Sequence, residues 1–314
     1  MIATAGTERL CEANDTSALV ILYRGQLVTE RYWGIGDADA ATDVASIQKS
    51  IVGILAGSLI EAGTIALDSP ASTWLGRRWS KAPLELESRI TVRHLMSMTS
   101  GLDRELTAFH EPGAAWQYNT TAYHQLRRLV EEASNENIGS LYYRVIGSFA
   151  GTTSVTWKPR RNSMDPHGRP LIAMHSTARD LARIGLLVAD GLCRDKREIY
   201  PGASRFLEEA LRPSSAHNPA YGLLWWLPRN RSAVLPEQPP ATTHDPQSHS
   251  DQSIVSVGPP DLVAAYGASG QKLYVSREAK VVVVITTPHQ PVRHFDPAFD
   301  NELWCRLSNT GCRT

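Results

Sequence analysis

The amino-acid sequence predicts an α+β fold in which an antiparallel sheet is assembled from both ends of the chain and a mainly helical region is inserted between them. Three observations lead there. Apolar runs of strand character stand at 18–23 and 27–33 near one end and at 262–266, 272–275 and 281–286 near the other. From about 64 to 213 the spacing of apolar residues is helical. The order strands, helices, strands, helix then brings the two ends into one sheet, with 1–63 and 214–314 forming the sheet domain and 64–213 completing a cleft.

Taken in order, Arg24-Gly25 punctuates the first two runs as the turn of a hairpin, and a loop over 34–42 leads to a helix predicted at 44–62. Ile47, Ile51, Ile54, Leu55, Leu59 and Ala62 mark its apolar positions, Asp43 is read as its cap and Gly63 as its stop. A short helix is predicted around 91–97. The loop 116–119 enters another helix, 120–133, whose face is Tyr123, Leu126, Leu129, Val130 and Ala133. Thr177 to Asp180 fits a capping box before Leu181, Ile184 and Val188, with Gly191 as the close. Between Pro228 and Pro260 the composition turns to Pro, Ser, His, Gln and Asp, which reads as a long irregular loop and a candidate lid. Asp296-Pro297 starts a closing helix through Trp304 and Leu307.

Composition narrows the partners. The chain has 314 residues, 42% of them hydrophobic, enough for a substantial core. Lys plus Arg equals Asp plus Glu at 32 each, so no overall field favours nucleic acid or an anionic membrane, and a neutral small molecule is the natural ligand. The scattered Cys11, Cys193, Cys305 and Cys312 show no zinc or C-x-x-C spacing and are read as free thiols. His244 and His249 on the polar loop are read as solvated, so neither metal nor cofactor is expected. No secretory leader or membrane-length apolar run is present, which gives a cytoplasmic expectation.

The candidate chemistry is in Ser46-Ile47-Gln48-Lys49. A serine and a lysine three apart share one helix face, so the amine reaches the hydroxyl. An apolar setting disfavours the charged amine and lets it act as the base that activates serine. The helix N-terminus adds backbone donors for an oxyanion. The same short pattern recurs at Ser269-Gly270-Gln271-Lys272, so spacing alone does not decide between chemistry and coincidence.

Context comes from the set of motifs. Ser46 to Lys49 is followed by Ile90-Thr91-Val92-Arg93-His94-Leu95-Met96-Ser97-Met98-Thr99-Ser100-Gly101-Leu102, by Trp116-Gln117-Tyr118-Asn119-Thr120 and by His175-Ser176-Thr177-Ala178-Arg179-Asp180-Leu181. Tyr221-Gly222-Leu223-Leu224-Trp225-Trp226 and Tyr266-Gly267-Ala268-Ser269-Gly270-Gln271 come after these. In this order the chain resembles the serine beta-lactamase and penicillin-binding-protein superfamily, in its class C-like esterase and amidase branch. The last stretch resembles the 6-aminohexanoate-dimer hydrolase subgroup.

The resemblance implies a beta-lactamase-like fold and a covalent acyl-enzyme. It makes Ser46 the nucleophile, Lys49 its base and Tyr118 a second proton carrier, with the amides of Ser46 and Gln271 as oxyanion donors. Thr120, Asn119, Ser269, Gly270, Tyr266 and Trp226 are the implied substrate contacts, although Trp225, Trp226 and Tyr266 equally suit a core. Two departures bear on the substrate. Thr120 occupies the third place of the family's Tyr-x-Asn, and Ala268-Ser269-Gly270 replaces Lys-Thr-Gly, removing the ammonium that holds a substrate carboxylate. The expected reaction is therefore hydrolysis of a neutral ester or amide. Transfer of the acyl group to an amine or alcohol stands as the alternative, and a catalytically inactive binding member of the fold as another.

Overall fold

The computed structural model describes residues 4–236, 249–250, 252–288 and 295–308. Helix α1 (Ala5–Glu12) leads into the hairpin β1 (Ala18–Tyr23) and β2 (Gln26–Tyr32), and β3 (Thr42–Asp43) precedes α2 (Ile47–Glu61). The helical stretch comprises α3 (Ser72–Leu75), α4 (Leu84–Arg89), α5 (Val92–Met96), α6 (Thr120–Ser134), α7 (Ile138–Tyr142) and α8 (Ser148–Ala150). Then come β4 (Thr156–Met164), β5 (Pro170–Ser176), α9 (Ala178–Ala189), the small hairpin β6 (Cys193–Arg194) and β7 (Arg197–Glu198), and α10 (Ala203–Ala210). The chain ends through β8 (Ala233–Val234), β9 (His249–Ser250), β10 (Val263–Gly267), β11 (Gln271–Ser276), β12 (Val281–Thr286) and α11 (Pro297–Ser308).

The two ends do share one sheet, in the order β10-β11-β12-β1-β2, with Ala18 opposite Thr286 and Tyr23 opposite Val281. Strand β12 is the unbroken run Val281-Val282-Val283-Val284-Ile285-Thr286, and all six residues are buried. A strand without alternation needs cover on both faces. Helix α9 covers one face; a Cβ on its Gly185 would stand only 2.5 Å from Val282 and 2.8 Å from Leu273, so the bare glycine lets helix and sheet close up. Helix α11 covers the other. There Lys272 Nζ meets Asp300 at 2.5 Å, and the Tyr274 hydroxyl donates to the same Asp300 oxygen at 2.6 Å.

Three sequence expectations change here. The segment 64–213 is not uniformly helical: β4 and β5 form a second antiparallel sheet with β3, and α9 belongs to the main sheet's cover. Pro159 and the polar run after it hid a strand that is bulged between Pro159 and Met164. Cys305 is disulfide-bonded, whereas Cys11 and Cys193 are free thiols; Cys305 lies near the end of α11, and the motif spacings considered do not include a bridge there. Part of the expected 228–260 loop pairs as β8 with β9, while 237–248, including His244, lies outside the described residues. No described helix is long and apolar enough to cross a membrane.

The buried Lys272–Asp300 pair predicts a large penalty for removing one partner. Asp300→Ala leaves an unpaired ammonium in the core and costs about 3–5 kcal/mol in chemical denaturation, as one-sided loss of buried pairs does. A loss below about 1 kcal/mol would show that the pair does not fasten α11 to the sheet.

Candidate active site

The turn that presents Ser46 is built from both sheets. Strand β3 pairs with β5, Asp43 opposite His175, and the chain then passes through Ala45 at φ +50°, a left-handed conformation unusual for a residue with a Cβ. Asp43 supports it. Its Oδ1 accepts from the Ala45 amide at 2.8 Å, and the guanidinium of Arg160 on β4 grips both carboxylate oxygens at 2.7–3.0 Å. Asp43 is thus not the helix cap expected from sequence: α2 begins at Ile47 with Ser46 in the cap position, because the carboxylate is taken up by the turn before it.

Helix α2 is buried nearly all round, from Ile47 to Leu59. Its first turn is tied down on two sides, Gln48 Oε1 accepting from Met174 N at 3.1 Å and Ser50 Oγ donating to the Leu224 carbonyl at 2.7 Å. Lys49 follows with its side chain almost fully enclosed. Its Nζ lies 2.7 Å from Ser46 Oγ and 3.3 Å from Thr120 Oγ1, with the rings of Tyr118 and Tyr123 at 4.9 and 4.8 Å. Burial, aided by the nearby Arg160 charge, lowers the Lys49 pKa from 10.5 to about 7.

Tyr118 arrives on the loop before α6, and the Ser46 side chain beside its hydroxyl offsets part of the rise in its pKa. Burial pushes its pKa upward, so the phenol keeps its proton. Asn119 serves another purpose. It caps α6 by accepting from Ala122 N at 2.9 Å and donates to the carbonyls of Leu102 and Asp103 at 2.7 and 2.8 Å. Its amide holds the Tyr118 loop, leaving the expected substrate contact without a donor; Thr120, in contrast, faces Lys49.

Strand β10 forms the open edge of the sheet beside this turn. A Cβ on Gly267 would stand 2.5 Å from the Val44 carbonyl and 3.2 Å from Ala45 Cβ, so only glycine permits the approach. Ala264 exchanges both backbone hydrogen bonds with Trp226, outward from the sheet. Alternation in an antiparallel ladder turns Tyr266, two residues on, to that same edge, and turns Gly267 inward to its partner Gln271. The expected oxyanion donor Gln271 is therefore corrected: its amide points into the ladder, and its side chain is held by Thr287 at 2.8 Å. The edge amide is that of Tyr266.

Ser269 and Gly270 form the hairpin loop against Thr287 and line a separate cavity of about 260 Å³ with Asn14, Thr16 and Phe299. The second Ser-x-x-Lys is consequently no dyad, since Ser269 lies in a turn and Lys272 is paired with Asp300. Trp225, Trp226 and the Tyr266 side chain are core, each at most 3% exposed. Trp226 stacks on Tyr118, with ring centres 6.1 Å apart, and so braces that ring from behind. Sequence reading missed Arg160 and the Tyr266 amide. The first had no local signal 117 positions from Asp43; the second was accessible from strand alternation.

A serine beside a lysine of lowered pKa thus stands at a buried helix start, flanked by a tyrosine and a strand edge, in an α+β fold. The Beta-lactamase family model matches residues 12–302, and the chain belongs to that family. Esterase EstB of Burkholderia gladioli is 30% identical over 104 residues, covering 30% of this chain and 26% of the esterase. The fold is shared with a putative 6-aminohexanoate-dimer hydrolase from Bacillus anthracis at TM-score 0.66 and 19% identity, over 96% of this chain and 79% of that one. It is also shared with EstCE1, a hydrolase with promiscuous acyltransferase activity, at TM-score 0.68 and 15% identity over 96% of both chains.

Two outcomes follow from the geometry. Only unprotonated Lys49 accepts a proton, so covalent capture of Ser46 rises with pH through about 7; Arg160→Gln removes one of the two causes of the lowered pKa and moves the midpoint upward. An unchanged midpoint in stopped-flow labelling would exclude that electrostatic link. Gly267→Val forces β10 away from the Val44 carbonyl and slows acylation about 10²- to 10³-fold, the range of losing one oxyanion donor, as measured on protein that circular dichroism shows to be folded.

Proposed function

We propose that the protein is a serine hydrolase that cleaves a neutral ester or amide through an acyl-enzyme. The observation that carries this reading is the 2.7 Å contact between Ser46 Oγ and a lysine amine whose pKa is lowered to about 7. In the proposed sequence Lys49 Nζ takes the Ser46 proton as Oγ attacks the carbonyl carbon. The amides of Ser46 and Tyr266 receive the oxyanion. The Tyr118 hydroxyl, kept protonated, gives its proton to the departing alcohol or amine, and Lys49 returns one to Tyr118. Water then attacks the acyl group by the reverse relay. Thr120 Oγ1 holds the Lys49 amine in line throughout.

Neutral substrates are favoured because β10, the strand beside the Ser46 turn, is Val263-Ala264-Ala265-Tyr266-Gly267 and carries no ammonium to hold a carboxylate, and the nearest lysine in sequence, Lys272, is engaged by Asp300. Acyl transfer to an amine or alcohol uses the same acyl-enzyme and is the second reading. It is favoured by the enclosure of Lys49 among aromatic rings, which limits the water around the ester.

Intact-protein mass spectrometry after treatment with p-nitrophenyl acetate or a fluorophosphonate tests the proposal. One adduct per chain is expected, absent in Ser46→Ala and formed about 10²- to 10⁴-fold more slowly in Lys49→Ala, the usual range for a lost general base. Folded protein that gives no adduct would move the reading to an inactive binding member of the family. Adding hexylamine to the acetylated enzyme separates the two catalytic readings: N-hexylacetamide marks transfer, and acetate alone marks hydrolysis.

A further inference from the structure

A second cavity, of about 640 Å³, lies on the side of the β3–β5–β4 sheet turned away from α2. Ala173 and His175 of β5 line it, whereas the intervening Met174 packs in the core and bonds Gln48 of α2 through its amide. Its size falls within the range of small-molecule sites, roughly 300–1,000 Å³. Ser46, Lys49 and Tyr118 are not among its walls.

Charged side chains and an apolar floor line it. Lys158, Arg160 and Arg161 face Asp37 and Asp43 across it. Asp43 is already matched by Arg160, and Asp37 accepts from the Asp39 amide at 2.8 Å. Lys158 and Arg161 make no ion pair among the described residues. Thr42 and His175 also belong to the wall, although Thr42 Oγ1 and His175 Nδ1 themselves are buried behind it without a hydrogen-bond partner among the described residues. The remaining wall is apolar: Ala18, Pro159, Ala178 and Pro288, with Ile35 left 77% exposed at the rim.

We propose that this cavity binds a small organic carboxylate carrying a short apolar chain. The carboxylate meets Lys158 and Arg161, and the chain covers Ile35 and the alanine and proline wall. Arg160 lines the cavity and also grips Asp43, so an occupant touches the support of the Ser46 turn without entering the catalytic site.

Isothermal titration calorimetry of the Ser46→Ala protein with hexanoate tests this without relying on catalysis. Hexanamide keeps the chain and removes the charge; inorganic phosphate keeps a charge and removes the chain. The expected result is one hexanoate per chain, with both controls at least about tenfold weaker, the scale of one charge-assisted contact. The double variant Lys158→Gln/Arg161→Gln, at two exposed unpaired side chains, weakens hexanoate by about tenfold or more and leaves wild-type labelling of Ser46 unchanged. Arg161→Glu, checked for folding by its melting temperature, weakens it as well. Hexanamide binding as tightly as hexanoate, phosphate binding as tightly, undiminished binding in both variants, or no binding at all would each overturn the assignment.

Discussion

The removal of one lysine amine from water organises the half of the molecule around Ser46. Moving the Lys49 pKa from 10.5 to about 7 corresponds to roughly 5 kcal/mol held against its charged form. Burial of α2 supplies the larger part of that penalty, and the Arg160 charge adds to it. The same surroundings are ready for the charge once a proton arrives. Two aromatic faces stand within 5 Å of Nζ, and the hydroxyls of Ser46 and Thr120 complete its shell. The amine is costly to charge at rest, but a charge it acquires meets partners already in place.

Lys272 is the instructive contrast. It too is buried, 4% exposed, and it too has an aromatic ring about 5 Å away, that of Tyr266 at 5.2 Å. A carboxylate decides its different role. Asp300 meets Lys272 and Tyr274 together and fastens the closing helix to the sheet, so the second Ser-x-x-Lys of the chain is architecture. Two identical short patterns thus acquire opposite meanings from what lies opposite the amine.

Much of this was legible in the sequence wherever the signal was local or periodic. The strand runs at both ends, the helix after Ser46 and the loop carrying Tyr118 stand where apolar spacing put them. The misreadings share a cause. Asp43 read as a cap because its partner, Arg160, is remote and sits in a strand masked by proline and charge. Asn119 read as a substrate contact because a capping side chain and a binding one are identical in a one-dimensional string. Gln271 read as an oxyanion donor because counting from a motif ignores which way a strand turns its amides. Contacts over long separations and the facing of backbone groups require the fold.

The pairing of Asp43 with Arg160 also has a temporal side. The two residues are 117 positions apart, and β10, the edge beside the same turn, lies later still. A growing chain therefore emerges with its serine and lysine long before the guanidinium that steadies their turn, and before the strand edge that faces them. The geometry around Ser46 draws on three segments distant in the sequence: the turn itself, β4 and β10. A partly synthesised or truncated chain can carry the Ser-x-x-Lys helix without the armature that orients it.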